Sequence, residues 1–324
     1  MVRRVHWVIV SLLFLATFCP ATSAQVYPAK PIRLIVGFPP GGSVDIIART
    51  VGQKLSESLR QQVVVDNRPG AAGGIAADIT AKAAPDGYTL FMQDIPTHAI
   101  NASYYKNLPY DPVKDFSTVT LVASTPIVLV ANPSFPAKSV TELIDLARAR
   151  PGQINFASGG NGSSTHLPGE MLKIMAHIDL THVPYKGAPL AMADVVSGQV
   201  QLLFSSLPGA MPLIRAGKLR AIAVTSAKRS HSAPDIPTVA EAGFPGYEAG
   251  QCFGLLAPAS TPPQIIGRLN AETLQVLRDP EVIQAIGKQG YDPLGGSPEE
   301  FDSYLKSEIA KWAKVVRAAN LRPD

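Results

Sequence analysis

The chain has 324 residues, a length that predicts two domains with buried cores. Hydrophobic residues make up 46% of the chain and charged residues 17%, which excludes an intrinsically disordered protein. The formal net charge of +4 is too small to indicate a nucleic-acid-binding protein.

The first 24 residues have the pattern of a secretory signal peptide. Two arginines precede an apolar run at residues 8–18, and small residues follow up to Ala24. The run is too short to span a bilayer, and the bulky residue before Cys19 argues against lipid attachment. Cleavage after Ala24 would leave one cysteine, Cys252, and therefore no intramolecular disulfide.

The rest of the chain alternates short apolar strands with amphipathic helices. In chain order, strands are predicted at residues 32–36, 63–65, 88–92, 119–123, 127–131, 154–157, 200–204 and 221–225. Helices are predicted at residues 47–59, 73–82, 139–150, 166–177, 188–197, 263–278 and 297–320. This alternation predicts an α/β fold with parallel strands and a ligand site at their carboxyl ends.

A glycine-rich loop joins the first strand to the first helix, and it includes Phe38, Gly41, Gly42 and Ser43. The glycines would let a ligand approach the backbone, and the free N–H groups of the helix N-terminus would favour an anion. The alternative is a tight turn in which Ser43 caps the helix. No Gly-Lys-Ser/Thr sequence follows, so the loop is not a nucleotide-binding P-loop.

A second loop of the same kind follows the strand at residues 154–157. It contains Ser158, Gly162, Ser163, Ser164 and Thr165, whose hydroxyls and amides can hold a carboxylate without a positive charge. The likeness of the two loops favours ligand binding. The alternative is a solvated loop in which Ser163 or Ser164 caps the next helix.

Motifs of known catalytic sites are absent from this sequence. Neither a nucleophile elbow nor a zinc-binding His or Cys pattern occurs, so no catalytic residue, metal or cofactor is predicted. His166 lies close to Ser163 and Ser164 in the chain, which leaves a secreted Ser–His hydrolase as an alternative.

Nine different short motifs follow one another in a specific order along the mature chain. They are PIRLIV at residues 31–36, PPGGS at 39–43, VDNRPGA at 65–71, THAIN at 97–101, LPYDP at 108–112, GNGSSTHL at 160–167, HVPYKG at 182–187, AGKLRA at 216–221 and PTV at 237–239. In this order they resemble the tripartite tricarboxylate transporter solute-binding proteins, also called the Bug (Bordetella uptake gene) family.

The resemblance implies a type II periplasmic binding-protein fold with a ligand cleft between two α/β lobes. It places lobe 1 at residues 25–125 plus 246–324 and lobe 2 at residues 126–245. It also implies a periplasmic protein that captures a small organic acid and delivers it to a membrane permease. The alternative within this fold is a sensor that presents its closed form to a membrane kinase. We expect a monomer without a nucleic-acid partner.

The resemblance further implies that the two loops grip the ligand from opposite lobes, with Thr97 lining the floor of the cleft. This chain departs from the family pattern at Ser205, where many members have an acidic residue, and at Asp94. Asp94 either caps the turn before Pro96 or faces a ligand that carries a positive or hydrogen-donating group besides its carboxylate. Both positions are expected to tune the identity of the ligand.

Overall fold

Ten strands and ten α-helices alternate along residues 27–322, which are the residues that the computed structural model describes. The strands are β1 (Ile32–Val36), β2 (Val63–Asn67), β3 (Thr89–Asp94), β4 (Phe116–Ala131), β5 (Asn155–Ser158), β6 (Thr181–Pro184), β7 (Leu202–Ser206), β8 (Arg220–Val224), β9 (Gly250–Pro258) and β10 (Asp292–Pro293). The helices are α1 (Ser43–Leu59), α2 (Gly74–Ala81), α3 (Ile95–Tyr104), α4 (Val140–Ala149), α5 (Leu167–Ala176), α6 (Ala188–Val196), α7 (Leu207–Arg215), α8 (Pro263–Arg278), α9 (Pro280–Lys288) and α10 (Pro298–Ala318). The predicted signal peptide lies outside the described residues.

The strands form one mixed sheet with the order β2-β1-β3-β9-β4-β7-β5-β6, and β8 and β10 also pair with β4. β1 pairs in parallel with β2 and β3, and β5 pairs in parallel with β6 and β7, as the alternation of elements predicts. β4 and β9 run antiparallel to their neighbours. The protein therefore has two α/β lobes, the first built around β1–β3 and the second around β5–β8.

β4 joins the two lobes. Residues 116–126 pair with β9 in the first lobe, whereas residues 127–131 pair with β7 and β8 in the second. The prediction of two separate strands in this stretch is wrong, because the backbone stays extended through it. Pro126 lies where the strand changes partners, and a residue without an N–H group disturbs the ladder least at such a point.

Helices cover both faces of each half of the sheet. In the first lobe, α1, α8 and α9 bury Ile47 and Leu269 on one face, and α2, α3 and α10 bury Trp312 on the other. In the second lobe, α4 and α5 pack against Phe156, and α6 and α7 pack against Leu203. Burial of such apolar stripes is the main force that holds helices onto a sheet.

Helix ends follow the local sequence in most places. Ser297 and Glu300 form the predicted capping box at the start of α10. The sequence analysis missed α3, α7 and α9, and each of these has a proline in its first two positions. Proline is well tolerated there because N–H groups in the first turn of a helix make no intrahelical hydrogen bond, so nothing is lost when one is absent. Within residues 27–322, no helix combines the length and apolar character needed to cross a membrane.

Candidate ligand-binding site

The two predicted loops meet at one cavity between the lobes. The first loop and the start of α1 form one wall, and the second loop forms much of the other. The lining consists of Phe38, Pro39, Pro40, Gly42, Ser43 and Val44 from the first lobe, Gly159, Ser163, Ser164, Thr165, Gly187, Ala188, Pro189 and Ser206 from the second, and Gln251 on β9. The space for the centres of water-sized molecules is about 60 Å³, so the cleft is nearly closed.

Three helix N-termini converge on this cavity. Gly42, Gly187 and Ser206 are the N-cap residues of α1, α6 and α7, and none of these three described helices has a side-chain cap. Their first N–H groups therefore have no intrahelical acceptor. These groups and the helix dipoles supply partial positive charge. The cavity consequently favours an anion, although no charged side chain is among its described lining residues.

Ser43 links the lobes instead of capping α1. The N-cap of α1 is Gly42, and Ser43 is the first helical residue. The Ser43 hydroxyl donates to the Ser206 hydroxyl across the cavity, at 3.0 Å. The alternative of a turn capped by Ser43 is therefore wrong. The N-cap of α5 is likewise His166, and not Ser163 or Ser164.

Asp45 stabilises the first loop from behind. Its carboxylate accepts hydrogen bonds from the Gly41 N–H group at 2.9 Å, from Arg49 at 3.0 Å and from Asn67 at 2.9 Å. Burial opposes ionisation of Asp45, but these hydrogen bonds outweigh it and hold the pKa of the carboxyl below its usual value. Gly41 has a φ of +79° and lies outside the described lining, so it shapes the loop through Asp45.

The second loop is held in shape by its own hydroxyls. Thr165 Oγ1 accepts the Gly159 N–H group at 2.9 Å, and Ser163 Oγ donates to the Gly160 carbonyl at 2.7 Å. Gly160 and Gly162 have φ values of +137° and +69°, which other residues rarely adopt. The loop is therefore organised before any ligand arrives.

Thr97 forms a bridge between the lobes. Its Oγ1 accepts the N–H group of Ser164 at 2.9 Å and donates to Asp94 Oδ2 at 2.5 Å. Asp94 is 1% exposed and occupies the N-cap position of α3, but its side chain accepts no backbone N–H group of that helix. Asp94 and Thr97 both lie behind Ser164 and outside the cavity lining.

Asp94 has an unusual electrostatic environment. Burial raises its pKa to about 6, and the hydroxyls of Ser164 and Thr97 and the backbone of Cys252 reduce this increase. Its Oδ1 atom has no hydrogen-bond partner among residues 27–322. At neutral pH the Asp94 carboxylate is therefore buried and charged, and it lies behind Ser164, which lines the cavity.

Among the lining residues that the sequence analysis missed, two have polar side chains, Ser206 and Gln251. Gln251 Nε2 donates to Ser164 Oγ at 3.3 Å. Ser205, which was predicted, is completely buried, and its hydroxyl has no partner in the described part of the chain. Adjacent strand residues point to opposite faces, so Ser205 and Ser206 cannot both face the cavity. The position of Ser206 at the carboxyl end of a strand could have indicated that it lies at the ligand site, because ligands bind at these ends of parallel strands.

A larger outer chamber adjoins the cavity. The two share Phe38, Pro39, Gly159 and Gly187. The outer chamber has about 520 Å³ for the centres of water-sized molecules, and its other lining residues are Gly37, Pro69, Gly70, Ala71, Ala72, Gly73, Tyr105, Gly160, Asn161, Tyr185 and Lys186. Lys186 is the one charged side chain in this described lining and is exposed.

The geometry does not support the hydrolase alternative. Ser163 Oγ donates to the Gly160 carbonyl, and Ser164 Oγ accepts from Gln251. His166 Nδ1 instead accepts the N–H group of Gly162 at 3.2 Å. In residues 27–322, no group of three or more His, Cys, Asp or Glu side chains is arranged to hold a metal ion.

Comparison with known proteins decides the family. The model of the tripartite tricarboxylate transporter family receptor matches residues 47–321. The chain belongs to this family. Protein BugT of Bordetella pertussis is 39% identical over 308 residues, which are 94% of each chain.

Two solved structures of similar proteins contain an organic acid. A Rhodopseudomonas palustris protein with adipate has a TM-score of 0.87 and 38% identity, covering 92% of this chain and all of that one. MatC from the same organism, with bound malate, has a TM-score of 0.84 and 32% identity, covering 90% and 100%.

Receptors of this family are periplasmic, two-lobed solute-binding proteins and not enzymes. The family, the fold class and the non-enzymatic function predicted from the sequence are therefore confirmed, and the hydrolase alternative is wrong.

Proposed function

We propose that this protein captures a small organic acid in the periplasm and delivers it to the membrane permease of a tripartite tricarboxylate-type transporter. The observation that carries the proposal is the convergence of three uncapped helix N-termini on a cavity lined by hydroxyls. Neutral donors of this kind suit a carboxylate. The adipate and malate in the two related structures support this class of ligand.

Closure of the lobes accompanies ligand binding in this proposal. The lobes divide at residues 25–125 plus 246–324 and 126–245, and the change of partners at Pro126 supports the first boundary. Ser43 contacts Ser206, and Thr97 contacts Ser164, between the two lobes, and opening of the cleft would break both contacts. An acid that touches both loops therefore binds the closed form better than the open form. The permease can then distinguish loaded from empty protein.

The predicted site residues divide into two groups. Phe38, Gly42, Ser43, Ser163, Ser164 and Thr165 line the cavity and contact the acid. The second group lies outside the lining and consists of Gly41, Asp94, Thr97, Ser158, Gly162 and Ser205. All of these except Ser205 make hydrogen bonds that help to hold the two loops. Ser206 and Gln251 join the first group.

The second end of the ligand lies in the outer chamber. The inner cavity has room for little more than a carboxylate head, and the outer chamber is several times larger. Lys186 makes no ion pair with the described residues, and no acidic side chain is in the described lining of the chamber. An acid with a second anionic group is therefore the best fit.

A ligand screen tests the proposal. Mature protein starting at Gln25 is heated with mono-, di- and aromatic carboxylates, and with the diamide of adipic acid as a neutral control. An acid at 100 times its Kd adds about 2.7 kcal/mol to the free energy of unfolding, which raises Tm. A protein stabilised by no carboxylate at saturating concentration would overturn the proposal.

Delivery is tested separately from binding. A strain that lacks this gene should lose uptake of the radiolabelled acid that binds most tightly, and complementation should restore uptake. Normal uptake together with a lost transcriptional response would favour the sensor alternative.

Export and oligomeric state are also proposals. Mass spectrometry of protein from the periplasm should find an N-terminus at or near Gln25, and light scattering should find a monomer. A retained segment 1–24 would contradict the predicted signal peptide, and a stable dimer would contradict the monomer.

A further inference from the structure

Two stacked histidines lie behind the second loop, residues 158–165. His166 at the start of α5 and His182 on β6 have ring centroids 3.8 Å apart and planes inclined by 14°. Phe156 packs against both rings, with centroid distances of 6.3 Å to His166 and 4.9 Å to His182. Neither histidine is among the described residues that line the cavity.

Each imidazole contacts a different part of the loop. His182 Nε2 lies 2.7 Å from Ser158 Oγ, and His166 Nδ1 accepts the Gly162 N–H group at 3.2 Å. Because Nδ1 of His166 is an acceptor, its neutral ring carries the proton on Nε2, which lies 3.6 Å from Glu170 Oε1. The Ser158 hydroxyl has one proton, and it lies 2.7 Å from Nε2 of His182 and 3.2 Å from the Gly160 carbonyl oxygen. We take the shorter contact as the hydrogen bond, with the hydroxyl as donor and Nε2 of His182 as acceptor.

From Ser158, two further hydrogen bonds lead to the cavity-lining residue Ser163. Ser158 Oγ accepts the Gly160 N–H group at 3.1 Å, and the Gly160 carbonyl accepts the Ser163 hydroxyl at 2.7 Å. Gly162 directly precedes Ser163 in the chain. The position of Ser163 therefore depends on both histidines, although neither of them touches the cavity.

We propose that His166 and His182 form one positioning unit that holds the second loop in its ligand-binding conformation. The inference rests on the proposed function, and it adds two residues that act through Ser158 and Gly162. Stacking fixes the two imidazoles relative to each other, so the contact at Ser158 supports the contact at Gly162. Burial, with the charge of the nearby Lys173, lowers the pKa of His182 to about 2 and keeps the ring a neutral acceptor.

Substitutions can remove the hydrogen bond while the stack remains. His182→Phe keeps an aromatic ring between Phe156 and His166 but has no acceptor, and Ser158→Ala removes the donor. His182→Gln keeps an acceptor near the position of Nε2. His231→Phe is the matched control, because His231 is exposed and lies outside the loop.

Calorimetry with adipate, or with the acid of the screen that binds most tightly, measures the effect. We expect Kd to rise five- to tenfold in His182→Phe, about what the loss of a neutral hydrogen bond produces. It should rise at least as much in Ser158→Ala, which also loses the contact with the Gly160 N–H group. The double variant should match Ser158→Ala, because that change has already removed the bond to His182. His182→Gln and the control should stay within about twofold of the wild type, on the same scale. Wild-type affinity in His182→Phe, or losses that multiply in the double variant, would overturn the inference.

Nuclear magnetic resonance tests the positioning without a ligand. In ¹⁵N-labelled wild type, His182 should carry its proton on Nδ1 and His166 on Nε2, and Ser158→Ala should shift the amide signals of Gly160 and Gly162. Unchanged loop amides in Ser158→Ala would overturn the inference even if His182→Phe failed to fold. Failure of the wild type to bind any acid, with shifted loop amides, would instead count against the proposed function and leave the positioning role supported.

Discussion

The Thr97 hydroxyl accepts the backbone N–H group of Ser164 at 2.9 Å, and the two residues belong to opposite lobes. The same hydroxyl donates to Asp94, which is buried beneath it. If the cleft opens as proposed, Thr97 separates from Ser164. The bond between the two residues would then contribute to the closed form and not to the open form.

Thr97→Val should weaken ligand binding by favouring the open form. Valine has the shape of threonine but leaves the Ser164 N–H group without an acceptor, which costs about 1–3 kcal/mol in the closed form. Calorimetry should find affinity lowered about fivefold or more. Small-angle scattering should find a larger radius at half-saturating acid. Thr273→Val is the control, because the Thr273 hydroxyl bonds only within its own helix. Equal affinities for both variants and the wild type would show that the bond has no role in closure.

Asp94 should make stability fall as pH rises. Its pKa is about 6 in the folded protein and near 3.8 when unfolded, so the folded protein binds more protons between these values. The free energy of unfolding should decrease across this window, by up to about 3 kcal/mol. Urea titrations from pH 4 to pH 7 measure the decrease. Asp94→Asn should remove it, whereas Asp235→Asn, at an exposed position, should not. A pH profile that Asp94→Asn leaves unchanged would contradict the assignment.

Gly42→Val should abolish binding and preserve the fold. The φ of Gly42 is −79°, which valine adopts, and the nearest atom to an added Cβ is the Pro39 carbonyl oxygen at 3.4 Å. The rest of the side chain would occupy the lining at the start of α1 and block access to its free N–H groups. We expect near-wild-type circular dichroism and affinity lowered at least about tenfold. Gly267→Val, at a helical position with open space, is the control. Normal affinity in Gly42→Val would mean that this loop is only a turn.

Lys186→Gln should discriminate between ligand classes. Loss of a charged hydrogen bond to a second carboxylate costs about 1.5–3 kcal/mol, so the affinity for adipate should fall about tenfold or more. The affinity for hexanoate, which has the same chain length and one carboxylate, should not change. Lys218→Gln removes an exposed charge of the second lobe and serves as the control. An equal loss of affinity for both acids would mean that Lys186 attracts anions in general and does not bind the second carboxylate.

Local patterns in the sequence are sufficient to predict the alternation of elements and the position of both loops. Apolar periodicity predicts α1 and β1 because the core faces of helices and strands must be apolar wherever they pack. Gly41, Gly160 and Gly162 mark chain reversals because few other residues adopt their positive φ values. The Ser297–Glu300 capping box can also be predicted from the sequence, because both partners lie within one turn of the helix.

The arrangement of these elements depends on contacts between residues that are far apart in the chain. β4 is one strand because β9 and then β7 supply its hydrogen bonds, and partners so far away in the chain leave no local pattern. The contacts Thr97–Ser164, Ser43–Ser206 and Ser158–His182 join residues 67, 163 and 24 positions apart. Which hydroxyl faces the cavity and which lies behind it depends on lobe closure and strand direction. Asp94 illustrates this best, because its buried, partly unpaired carboxylate results from packing between α3, β9 and the second loop, and not from its neighbours in the chain.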